Sequence, residues 1–155
     1  PAPSTACVAY SYGLGQDWAY EIELSGQCYT YAFDPTLFKK PNKLERYEGR
    51  QIDFHKIGLT ADGRNFCHRG ATEVRTKTLA GAMRHLGHSQ VDVLKLSVDE
   101  AEWEVLVSLA GADSPLRTVS QMVAELHFHH VPMATALRAL AVLEEQGFVL
   151  FSSSW

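Results

Sequence analysis

The stretch Cys7-Val-Ala-Tyr-Ser-Tyr-Gly-Leu-Gly-Gln-Asp-Trp18 decides the fold. Its first six residues are rich in β-forming side chains and predict a strand. Gly13 and Gly15 then permit a tight turn, because glycine adopts backbone angles that other residues avoid. A short helix is predicted to follow from Asp17. Strand, glycine turn and helix in this order form the first half of a βαβ unit.

The same alternation of strand-like and helix-like segments continues along the chain. Further strands are predicted at residues 28–33, 52–57, 91–96, 119–126 and 148–151. Helices are predicted at 78–86, from Asp99 onward, and at about 133–146, while 36–51 reads as loop with a short helix and 59–77 as loop. This pattern predicts an α/β fold with a mostly parallel sheet. Ligands of such sheets bind at the carboxyl ends of the strands.

Length and composition narrow the class of protein. The chain has 155 residues, and 14 Lys+Arg against 18 Asp+Glu give a net charge of −4. We expect one domain over residues 1–155, since single domains commonly hold ~100–200 residues. The hydrophobic fraction of 46% excludes disorder, and no apolar run is long enough for a transmembrane helix. A mildly acidic chain also makes nucleic acid an unlikely partner, because phosphate binding needs clustered Lys and Arg.

The first two strand ends suggest a nucleoside-containing ligand. Gly13 and Gly15 let the backbone approach a ligand, and Asp34 follows the second strand about 20 residues later. A carboxylate at that position can accept hydrogen bonds from both hydroxyls of a ribose. The alternative is purely local, because a glycine turn also serves tight packing and Asp-Pro is an ordinary turn starter. Both interpretations stay open at this point.

Acidic and histidine side chains follow the next two strands. Asp99 and Glu102 have the D-x-x-E spacing of a helix capping box, which explains both acids without catalysis. After the fifth strand, Glu125, His127 and His129 would share one face if that strand continued. Such a face can bind a metal or move protons, or it is simply a polar loop rim. Asp99 or Glu102 from the adjacent strand end would complete it.

Two cysteines stand at equivalent places in the first two strands. Cys7 lies six residues before Gly13, and Cys28 lies six residues before Asp34. If the strands are parallel neighbours, both cysteines lie at the same end of the sheet, about 4.8 Å apart across the pair. We therefore predict a Cys7–Cys28 disulfide in an oxidising compartment. Two buried thiols are the alternative, and Cys67 is left unpaired.

Taken together, these segments resemble the methyltransferase-like proteins related to FkbM-type methyltransferases. The opening segment resembles a family motif of the form C-x-x-Y-S-F-G-I-x-x-D-W-S-F-E, and residues 28–36 resemble G-C-x-V-x-A-F-D-P-T. Residues 91–106 resemble I-D-V-L-K-I-D-V-E-G-A-E-W-E-V-L, while 121–127 and 147–151 resemble the closing motifs. The resemblance covers nearly the whole chain in the right order, which makes it more specific than any single motif.

The resemblance implies a Rossmann-like class I methyltransferase fold, with helices on both sheet faces and strand order 3-2-1-4-5-7-6. It implies S-adenosylmethionine as cofactor and methyl transfer to a hydroxyl of a small molecule or glycan. The implied cofactor-binding positions are Gly13, Gly15, Asp17, Trp18, Asp34 and Ser97. The implied catalytic positions are Glu102, Glu125 and His127. No metal ligand is assigned, and the secretory pathway or the extracellular space is the expected location.

The chain departs from the family motif after the fourth strand. Where the family has K-I-D-V-E-G, this sequence has Ser97, Asp99 and Glu100 in place of the two acids and the glycine. The family also continues into a final strand, so the sequence is either truncated or completes its sheet differently. These departures favour a second hypothesis, a catalytically silent domain that acts as a binding or structural subunit with a protein partner. A third is a metal-binding enzyme built on Asp99, Glu125, His127 and His129.

Overall fold

The structure is a computed structural model that describes residues 7–15, 17–37, 44–47, 50–68, 72–99 and 101–153. Ten strands are present in these residues: β1 Val8–Tyr12, β2 Tyr29–Phe33, β3 Leu44–Tyr47, β4 Arg50–His55, β5 Gly58–Leu59, β6 Phe66–His68, β7 Thr72–Val74, β8 Thr76–Lys77, β9 Val91–Leu96 and β10 Val119–Ala124. The helices are α1 Ala19–Leu24, α2 Leu79–Leu86, α3 Ala101–Ser108 and α4 Met133–Glu145, with a 3-10 turn at Pro115–Thr118.

Six strands form one sheet in the order β10-β9-β1-β2-β4-β3. The five strands from β10 to β4 are parallel, and β3 pairs antiparallel with β4 at the edge. If the parallel strands β1, β2, β4, β9 and β10 are numbered 1 to 5 along the chain, they lie in the sheet in the order 3-2-1-4-5. This order agrees with the expected methyltransferase topology over the described residues, and the α/β fold class is confirmed.

The register aligns the carboxyl ends of the parallel strands. Tyr12 of β1 pairs with Phe33 of β2 and with Leu96 of β9, and Leu96 pairs with Ala124 of β10. Because all four strands end at one level, the turns that follow them meet at one edge of the sheet. Side chains after these strands can therefore act together although they are far apart in sequence.

The sheet buries a different set of side chains on each face. Tyr10, Tyr12 and Leu96 belong to a large cluster that also contains residues of α2, α3 and α4. Ala32 and Phe54 alternate onto the opposite face, in a smaller cluster against which the α1 segment packs. Helices thus cover both faces, as expected. Burying each large apolar side chain contributes about 1.5–3 kcal/mol, which makes these two clusters the main source of stability.

Helix α2 begins and ends at the predicted residues. The Thr78 side chain accepts a hydrogen bond from the Gly81 amide at 3.0 Å, which satisfies one of the free amides of the first turn. Gly87 closes the helix with φ of 74°, a left-handed conformation in which a side chain would be strained.

Three predictions about local structure are wrong. Residues 36–51 were expected to form loop with a short helix, whereas β3 occupies Leu44–Tyr47, and 38–43 and 48–49 lie outside the described residues. Residues 59–77 contain short paired strands, because each finds a partner that local sequence does not reveal. Residues 148–151 form no strand, since none of the described residues pairs with them, and Phe151 is 87% exposed.

The Cys7–Cys28 disulfide is present, with the two Cα atoms 4.5 Å apart. It joins the amino ends of neighbouring parallel strands, where the equal spacing of the two cysteines placed it. Among the described residues, no helix combines the length and the apolar character needed to span a membrane.

Candidate functional site

The turn after β1 is fixed against the turn after β9. Gly13 and Gly15 have φ of 78° and 61°, in the left-handed region. A Cβ atom on Gly13 would lie 1.6 Å from the Ser97 carbonyl oxygen, so no other residue fits there without moving the backbone. A Cβ atom on Gly15 would meet no atom of the described residues within 4 Å. The first glycine therefore brings two strand ends together, and the second leaves open space above the turn.

Asp34 holds the glycine turn from the end of β2. Its Oδ2 accepts hydrogen bonds from the amides of Leu14 and Gly15 at 3.0 and 3.1 Å. Its Oδ1 accepts from the amide and the hydroxyl of Thr36 at 2.8 and 2.7 Å. Only 3% of Asp34 is exposed. A carboxylate offers about four acceptor positions, so protein groups occupy all of them here. Ribose binding stays a prediction, and it requires an exchange of these bonds.

Asp17 and Trp18 lie at the start of α1. Asp17 Oδ1 accepts a hydrogen bond from the Ala19 amide at 2.9 Å, which satisfies an amide of the first helical turn. The Trp18 ring lies 5.6 Å from that of Phe54 and packs on the sheet face beneath α1. Both residues therefore have structural roles, and their contact with a ligand stays a prediction.

Glu102 and His127 form the central pair of the site. Glu102 Oε1 accepts from the His127 amide at 2.7 Å and lies 2.9 Å from His127 Nδ1. The carboxylate is fully buried, and its Oε2 has no hydrogen-bond partner among the described residues. Trp103 Nε1 donates to the His127 carbonyl, so two adjacent residues of α3 hold the segment after β10. This anchoring fixes the imidazole although it lies outside regular structure.

Ser97 and Glu125 extend this pair toward the turn after β9. Ser97 Oγ donates to Glu125 Oε2 at 2.7 Å. Glu125 Oε1 lies 3.9 Å from His127 Nε2, beyond hydrogen-bond distance but within reach of its charge. The serine that replaces the family's acid thus binds a neighbouring carboxylate, and the structure brings Ser97, Glu102, Glu125 and His127 together.

The charges around His127 set its proton affinity. Partial burial lowers the pKa of the imidazole, but the hydrogen bond that the ring donates to Glu102 and the charges of Glu102, Glu125 and Asp99 outweigh it, so the pKa is raised above 6.5. A carboxylate only accepts hydrogen bonds, which assigns the proton of the neutral ring to Nδ1. The Nε2 lone pair is then available as a base.

Two predictions about this region are wrong. Strand β10 ends at Ala124, so strand alternation does not place Glu125, His127 and His129 on one face. His127 instead binds Glu102 of helix α3. Because the Glu102 carboxylate binds His127, it does not form the predicted capping box. Asp99 adopts φ of 49°, and Glu100 lies outside the described residues. Within the described part of the chain, no three His, Cys, Asp or Glu side chains are arranged to hold a metal ion.

Sequence reasoning missed a buried polar network beneath the glycine turn. Lys95 Nζ lies 2.9 Å from the Gly13 carbonyl and 3.1 Å from Glu21 Oε1. Ser11 Oγ donates to the same Glu21 oxygen at 2.6 Å. The available signal was Lys95 itself, a charged residue inside a strand predicted to be buried. A lysine in such a position needs a buried partner, because an unpaired buried charge is costly.

The parallel sheet, the glycine turn and the polar strand ends define a Rossmann-like α/β protein with a ligand site at its carboxyl edge. A family model described as "Methyltransferase domain" matches residues 3–154, and the chain belongs to this family. Among curated proteins, the human protein named "Probable methyltransferase-like protein 24" is 29% identical over 126 residues. Its rat counterpart of the same name is 29% identical over 128 residues.

Both alignments cover 79% of this chain and 33% of the relative. The chain therefore spans about a third of the length of the curated relatives that it matches. No solved structure gives a significant match. The methyltransferase-like resemblance is confirmed at the level of the family, while the link to FkbM-type enzymes stays a prediction.

Proposed function

We propose that this domain binds S-adenosylmethionine and transfers its methyl group to a hydroxyl of a small molecule or glycan. The observation that carries the proposal is the Glu102–His127 pair at the edge where the β1 and β9 turns meet, at 2.9 Å between Oε1 and Nδ1. A base oriented by a buried carboxylate, beside a glycine turn in a methyltransferase-family fold, suits hydroxyl methylation.

The glycine turn is the part of the site that we assign to the cofactor. No atom of the described residues lies within 4 Å of a Cβ built on Gly15, which supports a ligand close to the backbone there, and Asp34 would bind it by exchanging some of its present hydrogen bonds. Gly13, Gly15 and Asp34 would hold the nucleoside end, with Asp17 and Ser97 at the sides. When bound, the cofactor supplies a methyl group attached to a sulfonium, whose neutral thioether is a good leaving group. The protein therefore has mainly to position the reactants.

His127 accepts the proton that the reaction releases. When the acceptor oxygen bonds to the methyl carbon, the carbon–sulfur bond would break and release a neutral thioether, and the hydroxyl proton would pass to His127 Nε2. The resulting imidazolium donates from Nδ1 to Glu102 Oε1, and the negative charge of Glu102 stabilises it. Glu125, with Oε1 at 3.9 Å from Nε2, adds further negative charge and lies where it can orient the acceptor.

We also propose that the protein works in the secretory pathway or the extracellular space. The support is the Cys7–Cys28 disulfide, because such bonds persist in oxidising compartments and are rare in the cytosol. Reaction with a thiol-specific label before and after reduction of protein isolated from each compartment tests this proposal. Free thiols at both positions in the native protein would contradict it.

A second candidate function is a catalytically silent domain that serves as a binding or structural subunit. One observation favours it: all four acceptor positions of Asp34 already carry hydrogen bonds from the protein, at 2.7–3.1 Å. A ligand must displace some of them, which weakens its binding.

Titration calorimetry with S-adenosylmethionine and S-adenosylhomocysteine separates the two functions. Binding of either compound supports the methyltransferase function, and binding of neither favours the silent subunit. Gly15→Ala and Gly87→Ala form a matched pair, because both glycines have positive φ and neither Cβ would lie within 4 Å of an atom in the part of the chain that the structure describes. We expect Gly15→Ala to weaken binding at least ten-fold, since its methyl group fills the ligand space, and Gly87→Ala to leave it unchanged.

A further inference from the structure

Lys95 is a buried cation directly beneath the glycine turn. It belongs to β9, where its backbone pairs with Ser11 of β1, and its side chain extends to the Gly13 carbonyl. The Lys95 side chain is 17% exposed, whereas Glu21 is fully buried. The ammonium group is therefore held at one position by Gly13 and Glu21, on the side of the sheet that α1 covers.

The ammonium group retains hydrogen-bonding capacity. A lysine has three N–H donors, and the Gly13 carbonyl and Glu21 Oε1 accept two of them. The Tyr20 ring also lies near the ammonium, with its centroid 5.7 Å from Nζ. Among the described residues only these two accept from the ammonium, so its third donor and the exposed part of the side chain can contact a group bound at the turn.

Charges are distributed unevenly along the glycine turn. Asp34 binds the amides of Leu14 and Gly15 on one side, whereas Lys95 binds the carbonyl of Gly13 on the other. Asp34 repels a ligand carboxylate, whereas Lys95, whose charge is balanced by Glu21, can bind one through its remaining N–H donor. A ligand that carries a carboxylate and a polyhydroxyl group is therefore bound in one orientation, with the carboxylate toward Lys95.

We propose that Lys95 is the carboxylate-binding residue for the amino-acid part of the methyl donor. This inference rests on the proposed function, because it names the residue that would bind the carboxylate of the methyl donor. Glu21 and Ser11 are positioning residues in this scheme. Glu21 holds the lysine through its Oε1, and Ser11 Oγ donates to that same oxygen at 2.6 Å.

A pair of ligands that differ only in the carboxylate tests the proposal. S-adenosylmethionine and its decarboxylated form share the sulfonium, the ammonium and the nucleoside, so the ratio of their dissociation constants reports the carboxylate alone. For the wild-type protein we expect the decarboxylated ligand to bind at least about ten-fold more weakly, the scale of one hydrogen bond to a charged group.

The variants remove the charge without leaving Glu21 unpaired. The double variant Lys95→Met, Glu21→Gln replaces the ion pair by neutral side chains of similar size, because a buried carboxylate without its lysine would destabilise the fold. Lys95→Arg keeps the positive charge. Lys77→Met, in β8, is the control for loss of one positive charge elsewhere. Circular dichroism and thermal melting check that each variant is folded.

We expect the ratio to fall to within about two-fold in the double variant, since one charged hydrogen bond is lost. We expect it to persist in Lys95→Arg and in Lys77→Met. A folded double variant that still discriminates between the two ligands overturns the proposal, and so does a wild-type protein that binds both equally. If the wild-type protein binds neither ligand, the proposed function itself fails.

Discussion

His127 Nδ1 lies 2.9 Å from Glu102 Oε1, and the amide of the same histidine donates to that oxygen at 2.7 Å. One carboxylate oxygen on α3 thus fixes both the backbone and the ring of a residue that follows β10. The contact joins segments that are 25 residues apart in the chain. It orients the ring, assigns its proton to Nδ1 and leaves Nε2 on the side of Glu125, whose Oε1 lies 3.9 Å away.

Glu102→Gln should lower the pKa of His127. The glutamine retains an oxygen acceptor but removes the negative charge that favours the imidazolium. Titration of the His127 ring protons by NMR measures the shift. Glu125→Gln is the matched control, and we expect a smaller decrease because Glu125 contributes only through its charge at 3.9 Å. Equal shifts in the two variants would contradict the dominant role of Glu102.

The stability of the wild-type protein should depend on pH through His127. Its pKa is raised in the folded state, so its charged interaction with Glu102 stabilises the protein fully below the ordinary value of 6.5. This contribution is lost as pH rises through the raised folded pKa. The difference in melting temperature between wild type and His127→Gln should therefore be larger at pH 6 than at pH 8.5 (about two units above the usual histidine pKa). If the difference in melting temperature grew with pH, the pKa of His127 would be lowered in the folded protein, contrary to the raised pKa assigned to it.

Gly13→Ala should be far more damaging than Gly87→Ala. Both substitutions place a methyl group on a residue with positive φ, which costs roughly 1–2 kcal/mol. Only at Gly13 does the new Cβ overlap another atom, the Ser97 carbonyl oxygen at 1.6 Å. We expect a further loss of about 2 kcal/mol or more in the free energy of unfolding, because the β1 and β9 turns must separate. Denaturant titration of the two variants measures the difference, and equal losses would show that the two turns separate freely.

Asp34→Ala should destabilise the glycine turn as well as any ligand bound to it. It removes the acceptor of the Leu14 and Gly15 amides, and a buried donor without an acceptor costs about 1–3 kcal/mol. Thr36→Val is the control, since it removes only the hydroxyl bond to Oδ1. We expect its loss of unfolding free energy to be about 1 kcal/mol. If Asp34→Ala weakens ligand binding without changing the free energy of unfolding, Asp34 acts only on the ligand. That result would contradict its stabilising role in the glycine turn.

Reduction of the disulfide should lower the melting temperature. Cys7 and Cys28 are 21 residues apart, and closing a loop of this length stabilises a protein by about 3 kcal/mol. For a chain of this size the expected decrease is roughly 6–12 °C. Melting with and without reductant measures it, and a Cys7→Ser, Cys28→Ser variant provides the control. Reductant should not change the melting temperature of that variant further, and a decrease there would point to another oxidised group.

The local pattern of residues was sufficient for the main elements of the fold. Apolar runs marked β1, β2 and β9, the first ended by Gly13 and the second by Asp34-Pro35, and Thr78 and Gly87 marked both ends of α2. These signals are local because strand and cap preferences arise from backbone sterics and neighbouring hydrogen bonds. The disulfide was also predictable, since equal spacing from two strand ends places two cysteines at the same level of a parallel pair.

The tertiary structure alone decided how the polar residues combine. Local spacing assigned Glu102 to a capping box, whereas the sheet order brings α3 beside the end of β10 and gives that carboxylate to His127. The sequence did not show which residue pairs with Lys95, and the packing of α1 on the sheet decided that it is Glu21. Such contacts depend on which strands are neighbours in the sheet. A sequence gives the types of side chain but not the distances between side chains that lie far apart in the chain. The sequence thus determined the strands, turns and caps of this protein, and the packing of helices on the sheet determined its charge pairs.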